Sequence, residues 1–384
     1  MTKVVSLFSG CGGLDLGFKW AGFDIVWAID CDKGACSTYE RNVGHHIQCG
    51  DITQVDFDDI PDADIIIGGP PCQAFSLVGK RDSSDRNSMM IWEFFRAVQT
   101  KMPRVFVMEN VPGLRSAIDK RGRNVLELFL KKMMDLGYSV TSSIINAADY
   151  GVPQRRKRLV VVGTLGKVSF TMPRKTHSND QNEIKKFGLK KWVTAKEAIG
   201  DLPNPSDETQ YLNYSKNPIP GYQSWIRKNS SMVYNHWMPT MSKLDRNIIK
   251  FIREGGNYKD VPDSIPSKRI KNYKKTGGRT TTYGRLDRNS PAYTINTYFS
   301  RLNVGCNIHY SKKRLITIRE GLRFQSFRDD FILPTGLSKR AQYTIVGNAV
   351  PPILGLALAE SLKSQLMEIA PIKAVRRIQQ MQRP

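Results

Sequence analysis

The six cysteines of this 384-residue chain (Cys11, Cys31, Cys36, Cys49, Cys72 and Cys306) include no Cys-x-x-Cys pair. They point to neither a zinc site nor a disulfide framework, so a reducing compartment with free thiols is the expectation. Long apolar runs are missing too. None approaches the roughly 20 residues of a membrane-spanning helix, and no signal peptide is read ahead of Val4-Val5. Internal repeats and low-complexity tracts are absent. Acidic residues are scarce, with 35 Asp and Glu against 58 Lys and Arg, a formal charge of +23 and a pI of 9.8. A chain this basic calls for a polyanionic partner. Nucleic acid is the usual one, and a membrane surface is the alternative. Aromatics at 9% exclude a disordered basic tail, and 40% hydrophobic residues can fill two lobes.

What is present is organised around Ile65-Ile66-Ile67-Gly68-Gly69-Pro70-Pro71-Cys72-Gln73. A β-branched run cut off by glycines and prolines reads as a buried strand leaving a sheet through a rigid turn. Two prolines fix two φ angles and remove two amide donors, so the loop is stiff where it presents Cys72. A thiol held at the carboxyl end of an α/β strand is a candidate nucleophile, and a buried inert cysteine is the bland alternative. The polar segment Val78 to Asn87 that follows is either a lid that orders over substrate or a plain solvated loop.

Earlier in the chain, a short strand (residues 3–8) meets Ser9-Gly10-Cys11-Gly12-Gly13 and then the helix-like Leu14-Asp15-Leu16-Gly17-Phe18. Strand, glycine turn and helix open a nucleotide-binding α/β unit. A second strand, Asp24 to Ile29, ends in Asp30, near the expected distance for an acid that bonds ribose hydroxyls; a helix N-cap is the competing reading. Arg104 to Met108 is another strand, and it ends in Glu109, a carboxylate that could donate a proton if partly desolvated; a cap or ion-pair partner is the competing reading.

Leu126 to Leu136 reads as a helix and Val140 to Ala147 as a strand. Gln154-Arg155-Arg156-Lys157-Arg158 then runs into the strand Leu159 to Val162. Side chains alternate along a strand, so at least one of the four cations should face the site. Between Lys167 and Gly284 there are 22 Lys and Arg against 10 Asp and Glu, interleaved with Trp192, Tyr211, Trp225, Tyr234, Trp237 and Tyr273. This reads as an irregular basic lobe suited to nucleic-acid contact, with an inserted structural lobe as the alternative. Thr280 to Tyr298 looks β-rich and Leu315 to Phe324 helical. Ile345-Val346-Gly347-Asn348-Ala349-Val350-Pro351-Pro352 is expected to open a last helix running to about Leu366, with Asn348 either capping that helix or touching a ligand beside the first turn.

In order along the chain, Phe8-Ser9-Gly10-Cys11-Gly12-Gly13, Gly69-Pro70-Pro71-Cys72-Gln73, Glu109-Asn110-Val111, Gln154 to Arg158, Arg285 with Pro291 and Thr294, and Gly347-Asn348-Ala349-Val350 resemble the bacterial-type DNA (cytosine-5)-methyltransferases. The resemblance covers residues 3–165 and 283–365. It implies an α/β fold: a Rossmann-like S-adenosylmethionine-dependent methyltransferase sheet with a smaller, irregular target-recognition lobe. The implied layout is a catalytic domain over 1–166, target recognition over 167–284, a return to the catalytic domain over 285–366 and a basic tail over 367–384.

The resemblance also assigns roles. Cys72 would attack C6 of a flipped-out cytosine, Glu109 would protonate N3, and Arg156 and Arg158 would lower the thiol pKa and meet the cytosine O2. For S-adenosylmethionine, Ser9, Gly10, Gly12 and Gly13 would border the amino-acid part and Phe8 the adenine. Asp30, with Cys31 beside it, would take the ribose, Asp51 and Ile52 the adenine edge, Pro71 the sulfonium side and Asn348 the methionine end. No metal is implied. Double-stranded DNA would be the partner of a monomer in the bacterial cytosol, with a restriction endonuclease acting on the same site but forming no stable complex.

Two mild departures from the family are Asp30, where many relatives carry glutamate, and Arg328, where proline is common. The rival readings are a tRNA cytosine-5 methyltransferase, a catalytically idle DNA-binding protein and a nicotinamide-dependent oxidoreductase. The long basic lobe argues against the first, and intact Cys72, Glu109, Arg156 and Arg158 argue against the second. The third rests on the glycine turn alone.

Overall fold

The computed structural model describes residues 1–71 and 86–369. Cys72, the expected lid up to Asp85 and the basic tail from residue 370 lie outside the described residues. Compactness divides the chain into two units. One comprises Met1–Asn146, Lys157–Arg174 and the chain from Leu354; the other comprises Ala147–Arg156 and Lys175–Ile353.

The first unit is built on strands β1 (Lys3–Leu7), β2 (Asp24–Asp30), β3 (Ile47–Cys49), β4 (Ile65–Gly68), β5 (Val105–Asn110) and β6 (Tyr138–Asn146). After the two-residue β7 (Gln154–Arg155) of the other unit, β8 (Lys157–Leu165) completes a seven-stranded sheet in the order β3-β2-β1-β4-β5-β8-β6. Strands β1 to β5 pair with one another in parallel, whereas β8 runs antiparallel to both β5 and β6. Ile65, Ile66 and Ile67 are wholly buried, as a central parallel strand covered on both faces requires. Helices α1 (Gly13–Trp20), α2 (Lys33–Asn42), α3 (Arg86–Lys101) and α4 (Val125–Asp135) connect the strands.

The rings of Phe94, Phe106 and Phe129 pack 6.0 to 6.3 Å apart beside the sheet. Gly163 faces Phe106 across the β5–β8 ladder, and a Cβ there would fall 2.0 Å from that ring, so no larger residue fits. Strand order reverses between β1 and β4, which makes their carboxyl ends the expected ligand crevice.

The second unit is irregular, with short helices and strands of two or three residues, matching the loss of strand–helix alternation seen in the sequence. Buried arginines hold it together. Arg323 Nη2 lies 2.6 Å from Asp329 and its Nη1 2.5 Å from Asp201, while Arg314 Nη2 lies 2.7 Å from Glu320. The wholly buried helix Ile318–Phe324 that carries Arg323 starts at a Thr317–Glu320 capping box.

Two expectations need correction. Residues 280–298 hold a single two-residue strand, Ala292–Tyr293. Pro291 has no ladder donor, and neighbouring amides go to scattered acceptors: Gly284 to Gly305 O, Arg285 to Gly256 O and Ile295 to the Gln154 side chain. Asn348 closes the helix Lys339–Asn348 rather than opening the last one, because Pro351 cannot continue it; the final helix is Pro352–Gln365. Taken together, 339–365 reach membrane-spanning length and hydropathy, but they form two helices and are mostly buried. The compact units also divide the chain differently from its texture, since 285–353 cluster with 175–284.

Candidate active site

The crevice begins at the turn after β1. Phe8 and Gly10 take left-handed φ angles of 54° and 55°, and a Cβ on Gly10 would meet nothing within 4 Å, so the backbone there faces open space. Gly12 also has a positive φ, but for a packing reason: a Cβ would fall 2.5 Å from Val43 and 2.9 Å from Tyr39 of α2. Gly13 starts α1. Ser9 donates its hydroxyl to Ser6 and its amide to Ile29 O, tying the turn to the sheet.

Asp30 ends β2. One carboxylate oxygen accepts the Gly10 amide at 2.8 Å and the other the Asp32 amide at 2.9 Å. Burial pushes its pKa up, and these amides pull the other way. Each oxygen keeps a further lone pair, so two hydroxyls can still be accepted. Asp51 follows β3 and caps the short turn Ile52–Gln54, and the Gly50 amide donates to Asp30 O. Ile52 is buried and Cys31 exposed. An acid on the second strand, a glycine turn with open backbone and an acid after the third strand suit a nucleoside bearing an amino acid. A carboxylate bonded to the turn would oppose a phosphate there.

At the next strand ends, the Asn110 side-chain amide donates to Pro70 O at 3.0 Å while its oxygen accepts the Val111 amide. The double-proline loop is thus pinned to the end of β5 just before Cys72. Reading the sequence missed this job for Asn110, although its place beside Glu109 was a signal. Glu109 is buried, and its Oε1 lies 2.7 Å from Arg158 Nε at the start of β8. A Cβ on Gly69 would stand 3.5 Å from Glu109 Oε2, so the loop backbone runs close to this carboxylate. Burial lowers the Arg158 pKa, and Glu109 offsets part of that.

Among the four expected cations, Arg158 is the one that meets Glu109. Lys157 is exposed. Arg156 lies in the other unit, where it is 2% exposed and donates to the carbonyls of Ile295, Gly347 and Ala349 at 2.8 to 3.1 Å. These bonds hold the backbone on both sides of Asn348. Gln154 works beside it, accepting the Ile295 amide and donating to Phe324 O. Among the described residues no cluster of His, Cys, Asp and Glu could hold a metal ion.

The profile of the C-5 cytosine-specific DNA methylases matches residues 2–364. The chain belongs to this family. It is a DNA (cytosine-5)-methyltransferase. The Type II methyltransferase M.NgoFVII of Neisseria gonorrhoeae is 36% identical over 366 residues, covering 94% of this chain and 86% of that relative. M.DdeI of Desulfomicrobium norvegicum is 34% identical over 380 residues, covering 94% and 88%. A DNA modification methyltransferase encoded in an E. coli prophage shares the fold, with a TM-score of 0.69 at 24% identity over 96% of this chain and all of that one. The Entamoeba histolytica methyltransferase EhMeth does so with a TM-score of 0.64 at 15% identity, over 95% and 99%.

Proposed function

We propose that this methyltransferase works through a covalent bond between Cys72 and C6 of a cytosine flipped out of duplex DNA, with Glu109 and Arg158 reading the ring edge. The observation that carries this reading is the Glu109–Arg158 contact of 2.7 Å at the strand ends, beside the pinned Pro70 loop. C5 of cytosine is a poor nucleophile, so the ring must first gain electron density. When the Cys72 thiolate adds to C6, an electron pair moves toward N3 and O2. Glu109 delivers a proton to N3, and Arg158 donates to O2. C5 then takes up the methyl group. Loss of the C5 proton to water, return of the N3 proton to Glu109 and cleavage of the C6–S bond release the thiolate and leave 5-methylcytosine. A base stacked in the duplex cannot reach these groups, which is why it must be flipped.

S-adenosylmethionine supplies the methyl on its sulfonium centre. Asp30 would hold the ribose hydroxyls, Phe8, Asp51 and Ile52 the adenine, Pro71 the sulfonium side, and Ser9 to Gly13 the amino-acid end, with Cys31 alongside. Asn348 keeps its assignment to the methionine end by resemblance. Arg156 acts as a positioning residue, since its donors are committed to the carbonyls around Asn348.

Residues 167–284 would choose the target sequence while the sheet unit carries the chemistry. The relatives are Type II methyltransferases, which supports a role as the modification enzyme of a restriction-modification system, acting as a cytoplasmic monomer beside an endonuclease of the same specificity. Bisulfite sequencing of DNA from cells expressing the chain tests activity and target together. Cytosines protected in one sequence context are expected, and uniform conversion would refute the reading.

A further inference from the structure

Arg285, Pro291 and Thr294 belong to a motif that the chemistry leaves unused, and they surround Arg155. In the second unit, Arg155 of β7 pairs in parallel register with Tyr293, and Thr294 Oγ1 donates to Arg155 O at 2.8 Å. The guanidinium carbon sits 4.3 Å from the centre of the Tyr293 ring. The Nε–H is buried and donates to nothing among the described residues, and no carboxylate there pairs with Arg155. This cation lines a cavity of 320 Å³ whose walls include Asn257, Thr280, Arg285, Asp287 and Tyr293.

Two arginines, Arg155 and Arg285, stand against one carboxylate, Asp287, on the cavity wall. Arg285 gives its donors to the carbonyls of Ile249, Ile252, His309 and Lys312, and among the described residues it makes no ion pair. Asp287 is occupied by its own turn, accepting the Asn289 amide and the Ser290 hydroxyl, both at 2.9 Å. Glu254, the next acid along the adjoining turn, is taken by Arg288 in a two-pronged contact. Cys306 is buried, its thiol pushed up to about 12, so it adds no negative charge. What remains is a guanidinium held over an aromatic ring with an unused Nε–H, on a wall shared with Asn257 and Thr280. Guanidinium geometry suits two oxygens of one phosphate.

We propose that this cavity is a subsite for a backbone phosphodiester of the DNA substrate, with Arg155 as its principal donor. Arg155 lies three residues before Arg158. A phosphate captured there would anchor the strand close along the chain to the residue assigned to the cytosine O2.

The test is duplex-DNA affinity as a function of salt, on target-bearing and target-free duplexes, for the full-length protein. Arg155→Ala should weaken both duplexes by the same factor and reduce the slope of log K against log salt by about 0.9, the value of one phosphate contact. Arg155→Lys should restore most of that slope, which a purely structural role would not predict. Asn257→Asp keeps the oxygen that accepts the Lys259 amide and adds a negative charge to the wall. It should weaken both duplexes and guards against misfolding of the alanine variant.

An unchanged slope in folded Arg155→Ala would overturn the proposal, as would a loss confined to the target-bearing duplex. If that variant does not fold, unchanged affinity in Asn257→Asp overturns it. Inorganic phosphate, compared with chloride at matched ionic strength, should compete with DNA on the unaltered protein and not on Arg155→Ala. Phosphate that raises the melting temperature without competing would mark a free-anion site and also contradict the proposal.

Discussion

Arg158 Nε lies 2.7 Å from Glu109 Oε1, with the two side chains only 11% and 9% exposed. The contact joins the last strand of the parallel set to the first antiparallel one, through the register that sets Asn110 opposite Leu159. In the proposed mechanism this donor and this carboxyl meet O2 and N3 of one cytosine edge. The same burial makes the pair a liability for folding if either partner is removed.

Arg158→Ala should therefore show two losses. Removing one partner of a buried ion pair costs about 3–5 kcal/mol, visible as a lowered midpoint in chemical unfolding. Methyl transfer should fall as well. Glu109→Gln keeps a hydrogen-bond acceptor and the side-chain volume, so it should fold while losing roughly 10²–10⁴ in kcat. Near-full turnover by folded Glu109→Gln would remove Glu109 from the chemistry.

Asp30→Ala should weaken S-adenosylmethionine more than DNA. Ribose hydroxyls left without their acceptor cost on the order of 1–3 kcal/mol. The Gly10 amide also loses its partner, which loosens the turn itself. Calorimetric titration with the cofactor reads the effect, and unchanged affinity would take Asp30 out of the site.

Asp15 gives a pH prediction. It is fully buried in α1 and accepts the Tyr39 hydroxyl at 2.8 Å; that hydroxyl is also 2.9 Å from His46 Nε2. Burial pushes its pKa from 3.8 up to about 6. Between those values the folded state holds a proton that the unfolded chain has released, so stability should fall as pH rises from about 4 to about 6 and level off above. The full effect is at most about 3 kcal/mol. Asp15→Asn should flatten this part of the profile. An identical pH dependence in the variant would show that Asp15 does not titrate in that window.

Much of this was legible from residues alone because the signals are local. The strand Asp24–Asp30 starts and ends on the residues the sequence suggested, and Ile65-Ile66-Ile67 lies at the core of the sheet. Glu109 stands at a strand end by simple counting. What escaped depends on partners distant in sequence. Arg156 and Arg158 are two residues apart and look equivalent, yet one is bonded to carbonyls at 295, 347 and 349 and the other to Glu109. The β-branched stretch 280–298 carries strand propensity, but Pro291 offers no ladder donor and the Ile295 amide goes to the Gln154 side chain rather than to a neighbouring strand. Propensity gave way to side-chain hydrogen bonding there.

The covalent mechanism is tested most directly by offering target duplex with 5-fluorocytosine at the modified position, together with S-adenosylmethionine. Fluorine at C5 cannot leave as a proton does, so the C6–S bond cannot be broken by elimination. The unaltered protein should become joined to the duplex in a complex that survives denaturing electrophoresis, with the DNA linked to the peptide bearing Cys72. Cys72→Ser should bind the duplex and cofactor yet give neither complex nor turnover. Sustained methylation by Cys72→Ser, or no covalent complex from an enzyme that methylates ordinary cytosine, would contradict the account.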